Sequence, residues 1–189
     1  LRLSRLVASL LDISRIQAGD RKFVMEPFDI CEMGRQVLIS FEQKITEKQL
    51  EVEVDFPEHT VYTRADSDAI TQVVYNLVDN AVKFTPERGT ISIAVTSKGK
   101  KAYLRVRNTG DGIPEEEIPH VFERFYKSDR SRGLDKTGTG LGLYIVKTIL
   151  DKHGEPVSVE SVPQKYTEFR FTLSLSAGKQ KNKNTDIIE

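Results

Sequence analysis

The segment Gln72-Val-Val-Tyr-Asn-Leu-Val-Asp-Asn-Ala-Val-Lys-Phe-Thr-Pro86 narrows the possibilities more than any other part of the chain. It reads as a helix in which Asn76, Asn80 and Lys83 sit among apolar neighbours. Spacings of four and then three residues align these groups along one helix face. Polar groups on a largely apolar helix are costly unless something bonds them. Two amide oxygens and one ammonium suit a divalent cation carrying a polyphosphate. A single Asn would read as a helix cap or a satisfied core amide. Three aligned groups, followed by two glycine-rich segments, favour a ligand.

The chain has 189 residues, the size of one large domain or of one domain with an appendage, and can bury a sizeable core. Lys plus Arg and Asp plus Glu both total 28, so the net charge is zero and nothing global points to nucleic acid or an anionic membrane surface. Cys31 is the single cysteine, which rules out an internal disulfide and fits a reducing compartment. No apolar run approaches the roughly 20 residues of a membrane helix, and the start has no signal-peptide pattern. The chain opens on a helical pattern without an initiator Met, as a piece of a longer protein would.

Leu3, Leu6, Leu10 and Ile13 form a coiled-coil or bundle seam that Gly19-Asp20 ends. Two readings stand side by side for residues 1–19: the last turns of a helix packed on another domain, or a helix lying on the main one. Phe23 to Phe28 is extended. Asp29 caps a predicted helix over 30–48, with Val37, Leu38, Phe41 and Ile45 on one face. Leu50 to Phe56 alternates as a strand with one wet face, and Val61 to Arg64 is a second strand. Asp66 or Ser67 opens the Asn-bearing helix. Thr90–Thr96 and Ala102–Val106 read as a hairpin turning at Lys98-Gly99-Lys100. Leu141 to His153 is a helix stopped by Gly154, and Val157–Val162 with Glu168–Leu175 makes a closing strand pair. The tail from Ala177 is polar and lysine-rich, with a disordered composition. Strands and helices mix without regular βαβ alternation, which favours an α+β, mixed-sheet sandwich over a Rossmann fold.

The first glycine segment, Val106-Arg-Asn-Thr-Gly-Asp-Gly-Ile-Pro114, follows a strand directly and lets main chain approach a flat ligand, with Asn108 at the strand end. The second, Gly138-Thr-Gly-Leu-Gly142, runs straight into a helix, where N–H groups bind phosphate. It is neither a dinucleotide fingerprint nor a Walker loop. Between them, Phe122 and Phe125 are expected to anchor a charged lid over Ser128 to Thr137. His59, His120 and His153 are isolated and read as structural or solvent-facing. Neither a Cys/His metal cluster nor a Ser-His-Asp triad is apparent.

These segments, in this order, resemble the ATP-binding catalytic domain of sensor histidine kinases, within the wider fold shared with DNA gyrase B, Hsp90 and MutL ATPases. The likeness covers about residues 23 to 175 and rests on the Asn-bearing box at 72–85, the glycine box at 108–112, the phenylalanine box at 122–126 and Gly138-Thr-Gly-Leu-Gly-Leu143. It implies an α+β, two-layer sandwich with a mixed, mainly antiparallel sheet covered on one face by helices (the Bergerat ATP-binding fold), preceded by a helical stub. Residues 1–20 then resemble the end of the dimerisation and phosphoacceptor hairpin, 21–176 the catalytic domain, and 177–189 a polar tail.

The same resemblance assigns ATP and Mg²⁺ as cofactors. Asn80 would hold the metal with Asn76 beside it, and Asn76, Lys83 and Lys127 would serve the transfer itself. Phe84 would pack near the nucleoside and Asn108 would face the adenine amino group. Gly110 and Gly112 would admit the base. Gly138, Gly140 and Gly142 would wrap the phosphates, and Thr167 would stand at the adenine end. Ile113, Phe122, Tyr126, Thr139, Leu141 and Leu143 complete the implied nucleotide-contacting set. The implied partners are an upstream phosphoacceptor helical domain and a response regulator, with no nucleic acid. The implied parent is a homodimer anchored in the bacterial membrane, with this part in the cytoplasm.

Three departures from the family pattern stand out. Asn108 replaces the usual Asp, Gln164-Lys165-Tyr166 replaces glycines before Thr167, and no phosphoacceptor His box is present, so the chain is expected not to phosphorylate itself. Asn76 replaces the water-activating Glu of related ATPases, so slow hydrolysis is expected. A nucleotide-binding pseudokinase and a serine kinase of the anti-sigma type are the alternative readings on the same fold.

Overall fold

A computed structural model describes residues 2–127 and 138–177. The expected lid, Ser128 to Thr137, and the expected tail beyond Ala177 lie outside the described residues. The order of elements is α1 (Arg2–Ala18), β1 (Glu26–Asp29), α2 (Ile30–Ile39), α3 (Glu42–Glu47), β2 (Glu51–Asp55), β3 (Tyr62–Ala65), α4 (Ser67–Phe84), β4 (Thr90–Lys98), β5 (Lys101–Thr109), a 3-10 turn (Glu115–His120), α5 (Gly142–His153), β6 (Val157–Val162) and β7 (Tyr166–Ser174).

A five-stranded sheet runs in the order β2-β4-β5-β7-β6. The β2–β4 pair is parallel and the other pairs are antiparallel. The fold is therefore the expected α+β sandwich with a mixed, mainly antiparallel sheet. Alternation along the strands sorts the side chains by face. Ile91, Ile93 and Val95 of β4, Leu104 and Val106 of β5, and Phe169, Phe171 and Leu173 of β7 are buried under the helices. The opposite face carries Arg105, Arg107 and Arg170 around Glu168, which is only 1% exposed and is paired with Arg170 and, at 3.5 Å, with Arg105. A charge so deeply buried needs such partners. A separate ribbon joins β1 and β3, and a bridge from Thr63 to Leu175 ties it to the end of β7.

Helix α4 packs its apolar stripe into the core, with Ile70, Val73, Val74, Leu77 and Val78 wholly buried. Asp66 starts the helix as its sequence predicts. One carboxylate oxygen accepts from Ala69 N (2.8 Å) and the other from Val24 N (2.8 Å). His153 Nε2 accepts from Asp66 N (3.2 Å), while its Nδ1 lies 2.8 Å from Ile149 O, so this histidine joins the end of α5 to the start of α4. Cys31 is buried in α2, and burial, reinforced by the Asp29 charge, pushes its thiol up to about 11.

The structure departs from the expected elements in three places. The helix predicted over 30–48 is two helices, because Phe41 turns into the core at the break and the Ser40 hydroxyl takes the Val37 carbonyl (2.6 Å). The β4–β5 hairpin pairs Lys98 with Lys101, so the turn is Gly99-Lys100 alone. Helix α5 starts at Gly142 rather than Leu141. The closing hairpin forms without glycines: Gln164 adopts φ 60° and its N–H reaches Asp111 O at 2.8 Å.

The C-terminal end of α1 lies on the main domain. Ile13 and Ile16 are buried, and Gln17 donates to the Tyr144 hydroxyl (2.7 Å), whereas Val7, Leu10 and Leu11 remain exposed. No helix among the described residues is long and apolar enough to cross a membrane.

Replacing Asp66 with Ala removes both the helix cap and the bond to Val24. Urea unfolding is expected to show a loss of about 2 kcal/mol, with Asp66→Asn recovering part of it.

Candidate functional site

The side of α4 that faces away from the core presents its polar groups toward the two glycine segments. Asn76 spends its amide nitrogen on Gln72 O (2.9 Å). Its Oδ1 faces the first turn of α5, 3.2 Å from the position a Cβ on Gly142 would take. One turn on, Asn80 is half-buried and its side chain makes no hydrogen bond among the described residues. Lys83 is ion-paired with Asp79 (2.5 Å), which also holds Lys44 at 3.3 Å. Asp79 was not foreseen. It occupies the same helix between the two asparagines, with Lys83 four residues on, and only the folded arrangement reveals Lys44 as its second partner. Phe84 is half-buried beside it in sequence, and its carbonyl abuts Gly110.

Asn108 is buried on the core face of β5, in a row with Ile91, Thr167 and Ser161 across four strands. Its amide nitrogen donates to Thr109 O (3.1 Å), which turns the carbonyl oxygen the other way. Ser161 was also missed by sequence reading, although the alternation of β6 puts this hydroxyl in line with Val157 and Val159. Its Oγ accepts from Ile113 N (2.8 Å), donates to Tyr166 O (2.8 Å) and lies 3.1 Å from Thr167 Oγ1. Ser161 thus fastens the first glycine segment to the end of the sheet and holds Thr167 in place. At Gly110 (φ 151°) a Cβ would lie 2.8 Å from Phe84 O, so the segment can cross the end of α4 only as glycine. Gly112 follows, against the backbone of Val162 and Pro163.

The phenylalanine segment divides its work. Phe122 meets Phe169 edge-on at 6.1 Å and so anchors to the core. Phe125 does not anchor, contrary to expectation. It is 55% exposed, has φ 60°, and donates its N–H to Gly140 O (3.0 Å). Its backbone occupies the space above Gly140 (φ 72°), where a Cβ would come within 2.8 Å of Phe125 C. Tyr126 and Lys127 are half-buried, with the Tyr126 ring 6.0 Å from that of His120.

In the second glycine segment Gly138 and Thr139 are half-buried, and Thr139 Oγ1 accepts from Leu141 N at 3.4 Å. Leu141, expected among the nucleotide-contacting residues, is wholly buried beneath the start of α5. Gly142 and Leu143 open α5, which has no side-chain cap on its first amides. Such amides favour an anion.

Helix α4 thus aligns Asn76, Asn80 and Lys83 on one face, with Asn76 against the second glycine segment and the helix end against the first, and the sheet sets Asn108 and Thr167 side by side. No cluster of three His, Cys, Asp or Glu side chains able to hold a metal exists among the described residues. The donors available to a cation here are amide oxygens, which suit Mg²⁺ when phosphate oxygens and water supply the other positions.

The sequence profile of the histidine kinase-, DNA gyrase B-, and HSP90-like ATPase family matches residues 65–177. The chain belongs to this family. Within it, the chain is similar to the sensor histidine kinase WalK of Bacillus subtilis (strain 168), at 36% identity over 174 residues, which is 91% of this chain and 28% of WalK. The chain therefore spans under a third of that relative. Among solved structures, full-length ShkA in complex with AMPPNP superposes with TM-score 0.80 at 27% identity, covering 93% of this chain and 37% of that one. Histidine kinase ThkA in complex with the response regulator TrrA gives TM-score 0.73 at 27% identity, covering 92% of this chain and 48% of that one. The chain is a catalytic ATP-binding domain of the histidine kinase type.

In this family member, Gly140→Ala forces a side chain against the Phe125 backbone at positive φ. It is expected to cost about 1–3 kcal/mol in urea unfolding and to weaken binding of a fluorescent ATP analogue, measured by titration.

Proposed function

We propose that this domain transfers the γ-phosphate of ATP to a histidine on an upstream helical domain, from which a response regulator takes it. The observation that carries the reading is the set Asn76, Asn80 and Lys83, aligned on one face of α4, with Asn76 against the uncapped start of α5 and the helix end against Gly110.

Asn80, with its half-buried and unengaged amide, would hold Mg²⁺, with Asn76 next to it. The bound metal would offset phosphate charge. Lys83 would exchange Asp79 for a phosphate oxygen, and Lys127 would add a second positive charge. Gly138, Gly140 and Gly142 would give main-chain donors, with Thr139 and Leu143 flanking them. Asn108 would accept from the adenine amino group through the carbonyl that its Thr109 bond leaves outward, with Thr167, Ile113 and Gly112 around the base. Phosphoryl transfer needs positioning and charge neutralisation more than covalent help from the protein. An amide at position 76 cannot take a proton from water at neutral pH, so the site favours an outside nucleophile over hydrolysis.

Helix α1 would be the last part of the helical hairpin that carries the phosphoacceptor and dimerises the parent protein. The parent would be membrane-anchored, with this part on the cytoplasmic side. ThkA, seen with its response regulator, supports the partner class.

Mixing this chain with Mg·ATP and a separate protein carrying the upstream helices should yield acid-labile phosphate on histidine. Acid-stable phosphate would point instead to a serine kinase. The chain alone should hydrolyse ATP slowly, and Asn76→Glu should raise that rate.

Asn108→Asp restores a pure acceptor opposite the adenine amino group. The ratio of ATP to GTP affinity should rise by about tenfold, since a charge-assisted bond exceeds a neutral one by roughly 1–2 kcal/mol. An unchanged ratio would separate Asn108 from base recognition.

A further inference from the structure

The last four carbonyls of a helix lack partners within its regular ladder, and at the end of α4 three of the four are hydrogen-bonded. Ala81 O accepts from Thr85 N (3.0 Å) and Thr85 Oγ1 (2.5 Å). Val82 O and Lys83 O accept from the ammonium of Lys48 at 2.8 and 3.2 Å. Phe84 O lies against Gly110. The same ammonium also donates to Thr85 O (2.5 Å), so three main-chain oxygens surround one half-buried cation. The Lys48 main chain takes part as well, since its carbonyl accepts from Arg88 N (3.0 Å).

The backbone on either side of this contact is held in uncommon conformations. Gln49 (φ 52°) and Arg88 (φ 62°) are both left-handed, and their side chains bond each other at 3.0 Å. Left-handed non-glycine residues persist only where the surroundings enforce them. A cation at a helix C-terminus is also favoured by the helix dipole. Burial pulls the ammonium below its usual range, and nearby Glu87 opposes that effect.

We propose that Lys48 is a positioning residue of the nucleotide site: its ammonium fastens the Val82–Thr85 turn and thereby fixes the backbone on which the Gly110 segment closes. The inference rests on the nucleotide site proposed above. Lys48 touches neither glycine segment and acts through α4. It holds the peptide of Lys83 itself and the carbonyl next to the one facing Gly110. Three carbonyl oxygens around an ammonium also form a setting that a free ammonium or potassium ion of similar size can enter once the side chain is gone. A merely structural lysine would lose binding only in step with melting temperature.

The test uses the whole chain and its Lys48→Ala and Lys48→Arg variants. A fluorescent ATP analogue is titrated with Mg²⁺ in choline, potassium and ammonium chloride at equal ionic strength, with melting temperature recorded in each salt. The unaltered chain should bind alike in all three. Lys48→Ala should bind roughly tenfold more weakly in choline, recover most of that loss in ammonium, and show faster amide exchange over 83–89. Lys48→Arg, which keeps the charge and donors, should fall between them and serves as the measurement if the Ala variant does not fold. Undiminished binding by Lys48→Ala in choline would overturn the proposal. So would a loss that ammonium leaves untouched, or one that only tracks melting temperature. Failure of the unaltered chain to bind the analogue would instead remove the nucleotide site, and this inference with it.

Discussion

Helix α4 must satisfy two opposite demands. Its apolar stripe needs complete burial, which Ile70, Val73, Val74, Leu77 and Val78 achieve. Its other side must keep two amides and an ammonium out of the core. A rigid helix meets both demands only if its rotation and position are fixed at both ends. The Asp66 carboxylate does this at the start by joining α4 to the segment before β1. Lys48 does it at the finish by joining α4 to the segment before β2. The glycine segments then close against a helix that is already set.

The parts legible in the sequence were those governed by local period. The α4 pattern, the Asp29 and Asp66 caps, the alternation of the β4–β5 hairpin and the Gly154 stop all follow from neighbours within a few residues. The break at Ser40-Phe41 was not legible, because Phe41 fits a helical stripe as well as it fits a turn into the core. Phe125 failed for the reverse reason. An aromatic next to a polar loop reads as an anchor, whereas its backbone, rather than its ring, does the packing against Gly140. Lys48 could not be read at all, since its partners are set by tertiary contact, and of the two lysines on Asp79 only Lys83, four residues on, follows from spacing. Ser161 was readable in principle as the polar member of an apolar row.

The two faces of the sheet divide the labour. Under the helices, the sheet face is apolar apart from the row of Asn108, Thr167 and Ser161 at one end, a local interruption of an otherwise dry surface. On the far face, Glu168 is buried among arginines and pairs with Arg105 of β5 and Arg170 of its own strand. Truncating an arginine there would strand a charge, a cost unrelated to nucleotide.

The lone thiol of Cys31 lies inside α2, protonated at ordinary pH and shut away from reagents in solution. A spectroscopist therefore starts with a natural blank. One cysteine placed on the exposed surface beside the Phe125 turn would take a maleimide dye or spin label on its own, with the native residue left in place. Rearrangement of the phenylalanine segment against α5 then becomes directly observable in a chain that needs no prior engineering.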